Sequence, residues 1–101
     1  MIVASGFIKM SPGDFEVVKG DLIEAVQAAR EQEGCISYAF SADLENPDIM
    51  WVNEVWENME SITAHTSKPH FAKLGRALAN ITIVEQSINL YPATEVIPFG
   101  G

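Results

Sequence analysis

The chain has 101 residues, a length that suits one domain with a single core, and its hydrophobic content of 48% is ordinary for a globular protein. Its 14 acidic and 6 basic residues give a formal net charge of −8, which argues against binding to nucleic acid or to an anionic membrane. The single cysteine, Cys35, excludes an intramolecular disulfide, favours a reducing compartment and is expected to be a small buried hydrophobe.

The first predicted elements are a strand and a helix. Residues 2–9 follow an alternating pattern, which predicts a strand. This run is too short for the apolar part of a signal peptide, and no run approaches the ~18 apolar residues of a membrane span, so a cytoplasmic protein is expected. The segment Ser11-Pro12-Gly13-Asp14 predicts a helix that is capped by its serine, and apolar residues then recur at helical spacing as far as Ala29.

Two strands, two short helices and a last strand follow. Residues 35–43 and 49–57 both alternate, and the turn residues between them predict a hairpin. Asn58 is placed to cap one short helix and Ser67 to cap the next. Residues 83–97 predict the final strand.

The order β-α-β-β-α-β predicts an α+β fold over residues 1–101, a ferredoxin-like sandwich of four antiparallel strands with helices on one face. Both faces of the predicted sheet carry apolar residues, for example Tyr38 and Phe40 on one and Ala39 on the other. A soluble monomer rarely exposes so much apolar surface, so two sheets packed face to face in a homodimer are predicted. The last strand, which ends near Phe99, is expected to reach across to the partner.

The only two histidines, His65 and His70, lie close together on either side of the break Ser67-Lys68-Pro69. Imidazole titrates nearest to neutral pH, so acid–base chemistry in this protein is expected to use this segment. Both positions lie at the boundary of an apolar stripe, which suits a general base and equally a structural histidine. Two histidines without a nearby carboxylate do not form an evident metal site, and no metal is expected.

Three motifs give the chain its resemblance to the antibiotic biosynthesis monooxygenase family of dimeric α+β barrels. They are Glu33-Gly34-Cys35-Ile36-Ser37-Tyr38, Glu54-Val55-Trp56-Glu57 and Ala64-His65-x-x-Lys68-Pro69-His70-Phe71, in the order and spacing of that family. The resemblance covers essentially the whole chain and implies a homodimer. It also implies a monooxygenase that oxidises a small aromatic or quinol-type compound with O₂ and no cofactor, because the anion of an electron-rich substrate reduces O₂ itself.

The resemblance further implies a pocket between the sheet and the helices. The residues expected to bind substrate there are Trp56, Phe71, Tyr38 and Met50. His70 is the preferred catalytic base and His65 the reserve. Glu54, on the same strand face as Trp56, is expected at an interface or in an ion pair.

The chain differs from two branches of the family that it resembles. The haem-degrading branch has an axial histidine at the position of Gly75, so haem degradation is disfavoured. The anthrone-oxidising relatives have an asparagine and a tyrosine where this chain has Val52 and Ile62, and Arg76, which matches their arginine in spacing, is expected at the surface. Two alternatives therefore stay open: an isomerase of a small carbonyl metabolite or quorum signal, and a non-catalytic dimeric ligand-binding module.

Overall fold

Four strands form one antiparallel sheet in the computed structural model, which describes residues 1–100. The strands are β1 (Ile2–Met10), β2 (Cys35–Ala42), β3 (Ile49–Trp56) and β4 (Ile83–Pro92), in the order β2-β3-β1-β4. The helices are α1 (Asp14–Arg30), α2 (Met59–Thr66) and α3 (Pro69–Leu78). The predicted ferredoxin-like fold is confirmed, with its second helical part divided into α2 and α3. Within residues 1–100, no helix combines the length and apolar character that crossing a membrane needs.

Alternation along the strands separates a helix face of the sheet from an open face. On the helix face, Ala4 of β1 lies beside Glu54 of β3, and Glu54 lies beside Tyr38 of β2. The buried side chains of this face form two clusters with α1. The first contains Ile8, Met10, Val18, Leu22, Met50 and Val52, and the second contains Ala29, Tyr38 and Trp56. Their burial is the main source of stability, since apolar area removed from water contributes ~25 cal/mol per Å².

The helices cover the sheet unevenly. Helix α3 packs against α1 and α2, and all ten residues of β4 are exposed. Leu90, which lies beside Ala4 on the helix face, is 45% exposed. The helical layer therefore covers β1, β2 and β3, and the β4 edge leaves an apolar shelf beside it.

Several local predictions need correction. Helix α1 begins at Asp14 after Gly13, which adopts a left-handed conformation, and no side chain caps it, so the predicted serine cap is wrong. Lys68, rather than Ser67, precedes α3. β4 ends at Pro92 instead of residue 97, because proline has no N–H for the ladder. The hairpin and the Asn58 cap of α2 are confirmed.

A β-bulge at the start of β2 changes the predicted alternation. Cys35 pairs with Trp56 and Ser37 pairs with Val55, so Ile36 is the extra residue and is exposed. Tyr38 and the residues after it return to regular pairing, which places the Tyr38 side chain on the helix face.

Gly6 of β1 lies so close to the backbone of β4 that no larger residue fits there. A Cβ atom at Gly6 would overlap the carbonyl oxygen of Ser87, so we expect Gly6→Ala to lower the free energy of unfolding by more than about 2 kcal/mol. Urea denaturation measures this loss. Gly20→Ala is the matched control, because a Cβ atom there meets no atom within 4 Å and alanine stabilises an exposed helix by up to about 1 kcal/mol. Equal stability of the two variants would contradict the packing described here.

Candidate active site

The candidate site lies where the end of β3 meets α2. Trp56 is the last residue of β3, lies on the helix face and is fully buried. The side chain of Asn58 then accepts a hydrogen bond from the backbone N–H of Ser61 and starts α2. This turn brings His65, near the end of α2, back over the indole, with 4.7 Å between the two ring centroids. Local chain geometry therefore places the imidazole directly on the tryptophan.

Aromatic rings surround His65. Besides Trp56, its ring contacts Tyr38, Phe71 and His70, with centroid distances of 5.5, 5.2 and 5.4 Å. The His65 side chain is only 4% exposed in consequence. Five of the six side chains predicted from sequence to form the site thus lie in one mostly apolar cluster, in which the polar atoms are few.

A side-chain amide determines which nitrogen of His65 carries the proton. Gln32 Oε1 lies 3.0 Å from His65 Nδ1, and Gln32 Nε2 donates to the backbone carbonyl of Ser61 at 3.4 Å. The donation to Ser61 orients the amide, so its oxygen must accept from an Nδ1–H group. The neutral ring then has its lone pair on Nε2, and no donor within residues 1–100 forms a hydrogen bond to this nitrogen.

Burial also keeps His65 neutral. Loss of solvent lowers the pKa of His65 to about 4, and the nearby His70 adds a smaller effect in the same direction. At neutral pH, His65 is therefore an imidazole that can accept a proton. Its low pKa limits the strength of His65 as a base, and an anionic reacting group beside the ring would raise that pKa.

His70 has a different environment from His65. It lies in the first turn of α3 and is half-buried, and its Nε2 atom is enclosed without a hydrogen-bond partner. His65 Nε2 is not enclosed in this way. An enclosed atom cannot touch a substrate without rearrangement, so the two rings present different nitrogens to their surroundings, and the preference for His70 as the base stays a prediction.

Glu54 joins the site and was assigned a different role from sequence. Its Oε1 atom accepts a hydrogen bond of 2.9 Å from the indole Nε1–H of Trp56. Burial raises the pKa of Glu54, and the Trp56 hydrogen bond opposes this shift to a smaller extent. Within residues 1–100 the ion pair present joins Lys73 and Glu24, and Glu54 has no cationic partner, so the predicted ion pair is wrong. The sequence signal for its true place was its spacing of two residues from Trp56.

Met50 does not join the group around His65. It is 1% exposed and packs in the first core cluster, with Val18 and Leu22 of α1, because it lies six residues before Trp56 along β3. Contact between Met50 and a substrate stays a prediction. Arg76 is exposed, as expected.

Two further features bear on reactivity, the thiol of Cys35 and the grouping of side chains that could bind a metal ion. Cys35 is partly buried beside the second core cluster, and burial raises the pKa of its thiol, with the charge of Glu54 as the next cause. A raised pKa disfavours the reactive thiolate. Within residues 1–100, no three side chains of the His, Cys, Asp or Glu types are grouped as metal ligands would be.

Comparison with known proteins assigns the chain to a family. The model of the antibiotic biosynthesis monooxygenase family matches residues 1–77, and the chain belongs to this family. A candidate antibiotic biosynthesis monooxygenase from Deinococcus radiodurans is similar in structure, with a TM-score of 0.90, 27% identity and coverage of 100% of both chains. A conserved Methanosarcina mazei protein has a TM-score of 0.82 at 26% identity, over 89% of each chain.

A curated relative without an assigned function is also similar. It is an uncharacterized Synechocystis protein, 27% identical over 94 residues, and the match covers 93% of this chain. The chain spans 64% of the length of that protein.

The burial of neutral His65 predicts a stability that depends on pH. The pKa of about 4 in the folded state lies below the ordinary histidine value of 6.5, so the unfolded state takes up the proton first as the pH falls. The stability that neutral His65 contributes is therefore present above pH 6.5 and lost towards pH 4. We expect the difference in unfolding free energy between wild type and His65→Phe to shrink by up to about 3 kcal/mol from pH 7 to pH 4. A difference that stays constant over this range in chemical denaturation would contradict the assignment.

Proposed function

We propose that the protein is a homodimeric monooxygenase that oxidises a small aromatic or quinol-type compound with O₂ and without an added cofactor. The observation that supports this most directly is the neutral His65, whose Nε2 lone pair is free within a group of aromatic rings. Membership of the antibiotic biosynthesis monooxygenase family supports the reaction class. The Deinococcus relative supports it in the same way, through its similarity over the whole chain.

The reaction begins with a proton transfer to His65. Its Nε2 takes a proton from an acidic C–H or O–H group of the substrate and leaves an electron-rich anion. This anion passes an electron to O₂, and the two radicals combine to form a C–O bond and a peroxide anion. The imidazolium returns its proton to that anion, which gives a hydroperoxide and restores neutral His65. Apolar walls favour these steps because they exclude water from the reactive anion.

His65 is the base in this proposal, and His70 holds it in place. The Gln32 contact gives His65 a defined tautomer, and its free nitrogen is not enclosed. The ring of His70 packs against His65 at 5.4 Å, and its own Nε2 is enclosed. A positive charge on His65 is less favourable beside another imidazole, so His70 also helps to return the proton in the next step.

The substrate would enter beside the uncovered β4 edge. Phe71 contacts His65 and is 39% exposed, so it connects the buried ring to the surface. On the helix face, a row of side chains from Glu54 through Ala4 to Leu90 runs from the site to the shelf at β4. A planar aromatic compound can lie on such a shelf with its reacting group towards His65 Nε2.

The open face of the sheet supports the homodimer. Phe7 and Trp51 pack edge to face there at 5.6 Å, and Trp51 is 44% exposed. Val3 and Val55 continue the same face along β1 and β3. Two copies packed through this apolar surface would remove it from water, which is a general driving force for association.

Oxygen uptake tests the proposed reaction. Purified, metal-free protein is assayed with hydroquinones, naphthoquinols and anthrones, and we expect uptake that is stoichiometric with product. His65→Gln should lower kcat by ~10²-fold or more, because it removes the general base. His70→Asn, at the neighbouring ring, should lower kcat by less than His65→Gln, because it removes a packing contact and leaves the base in place. Full activity of His65→Gln would contradict the choice of base, and substrate conversion without O₂ uptake would favour the isomerase.

The oligomeric state tests the open face. We expect light scattering to show a particle of twice the chain mass for wild type. Phe7→Glu places a charge in the centre of the proposed interface and should yield a monomer. Val17→Glu, at an exposed position of α1, is the control and should remain dimeric. A monomeric wild type at micromolar concentration would contradict the homodimer.

A further inference from the structure

We propose that Glu54 is the general acid of this site and delivers the proton with which the O–O bond of the hydroperoxide breaks. This inference rests on the proposed monooxygenase function and adds a second catalytic residue to it. The geometry that points to it is a carboxyl group that accepts a hydrogen bond from Trp56 with one oxygen, while its other oxygen is unpaired and not enclosed.

The hydrogen bond from Trp56 decides which oxygen of Glu54 can carry a proton. The indole N–H is a donor only, so Oε1 must accept from it, and that bond is 2.9 Å long. The acidic proton therefore resides on Oε2. No protein atom within residues 1–100 bonds to Oε2, and this oxygen is not among the enclosed unpaired atoms.

Glu54 and His65 both contact the indole ring of Trp56. The imidazole of His65 packs on the indole ring at 4.7 Å, and the carboxyl group of Glu54 bonds to the indole nitrogen. Trp56 is fully buried and has little freedom to move, so it holds an acid and a base in a defined relation. Two titratable groups with different environments around one pocket are typical of an acid–base pair.

The surroundings of Glu54 favour the protonated carboxyl group. Its neighbours across the strands are Ala4 of β1 and Tyr38 of β2. The ionisable and charged groups that the packed elements place around this region are Cys35 and Tyr38 of β2, Arg30 of α1, His65 of α2 and His70 of α3. Arg30 donates from Nε to the backbone carbonyl of Tyr38 and forms no ion pair with Glu54. Burial is the largest influence and raises the pKa of the carboxyl group towards the pH at which a general acid works well.

The proposed step balances in atoms and electrons. The intermediate is a hydroperoxide on a carbon that still carries one hydrogen, as O₂ addition to a substrate CH₂ group produces. His65 Nε2 takes this C–H proton, the released electron pair forms the C=O bond, and the O–O bond breaks. Glu54 Oε2 gives its proton to the departing oxygen, so water leaves instead of hydroxide. The proton on His65 then returns to the Glu54 carboxylate, and both residues regain their starting state.

Glu54→Gln separates this role from a merely structural one. The amide oxygen of glutamine can still accept the hydrogen bond from Trp56, and the side chain has nearly the same size, but it has no acidic proton. Circular dichroism and the Tm establish that the variant folds. Glu57→Gln, at an exposed position just after β3, is the matched control.

The assay measures O₂ uptake, ketone product and peroxide together, with a substrate that wild type oxidises. We expect Glu54→Gln to continue to take up O₂, while ketone formation per O₂ falls at least tenfold and the hydroperoxide or H₂O₂ accumulates. Glu54→Asp, which keeps an acid on a shorter side chain, should recover part of the ketone yield. A wild-type ratio of ketone to O₂ in Glu54→Gln would overturn the proposal and leave the oxygenase function standing.

Direct titration provides a readout that does not depend on turnover. In a ¹³C NMR titration of the glutamate carboxyl carbons, Glu54 should titrate above an ordinary glutamate, and the signal assigned to it should vanish in Glu54→Gln. Ketone formation by wild type should fall as the pH rises through that pKa, and the variant should lack this dependence. Titration at the ordinary value would overturn the proposal. Absence of O₂ uptake by wild type would overturn the oxygenase function itself, and the peroxide step with it.

Discussion

The hydrogen bond between His65 and Gln32 connects the residues just after α1 to the end of α2, and the chemistry of the site depends on it. Without this partner, the buried ring would have no reason to prefer one tautomer, and its free nitrogen could be either the donor or the acceptor. The second hydrogen bond of Gln32, to the backbone carbonyl of Ser61, orients the amide so that its oxygen faces His65 Nδ1. One side-chain amide thus gives a buried imidazole a defined basic atom. The proposed proton transfer follows from this arrangement.

The uneven helical layer determines how a substrate could reach that atom. α1, α2 and α3 pack together over one side of the sheet, and β4 has no cover on either face. This leaves the apolar surface in two places, the shelf at the β4 edge around Leu90 and the open face around Phe7 and Trp51. The first suits a small planar ligand and the second suits another copy of the chain. If helices covered the whole sheet, the aromatic cluster would be equally buried, but the sheet would leave no apolar surface beside it on which a substrate could bind.

Sequence reasoning was sufficient for the architecture because apolar periodicity reports directly on burial. The alternation of β1 and β3 predicted which of their residues share a face, and the resemblance predicted that Trp56 and the two histidines would lie together. The exceptions involve features that periodicity does not contain. The bulge at Ile36 depends on a local change of register, and the cap of α1 depends on the left-handed conformation of Gly13.

Roles of individual polar atoms were the least predictable part of the site. Which nitrogen of His65 is free depends on Gln32, 33 residues earlier in the chain, and no local pattern connects the two. Glu54 was expected at an interface or in an ion pair, although its spacing from Trp56 places both residues on the same face of β3. Met50 shares that face, but distance along β3 places it in the other core cluster. The sheet face on which a residue lies can be predicted from sequence. Which part of the helical layer packs over that residue cannot.

The most direct test of this account is the protonation state of the two nitrogens of His65, measured by long-range ¹⁵N–¹H correlation NMR at pH 7. We expect a neutral ring with the proton on Nδ1 and the chemical shift of an unprotonated nitrogen at Nε2. In Gln32→Leu this preference for one tautomer should be lost. A ring protonated at Nε2, or a positively charged imidazolium in the wild type at this pH, would contradict the assignment of His65 as the base.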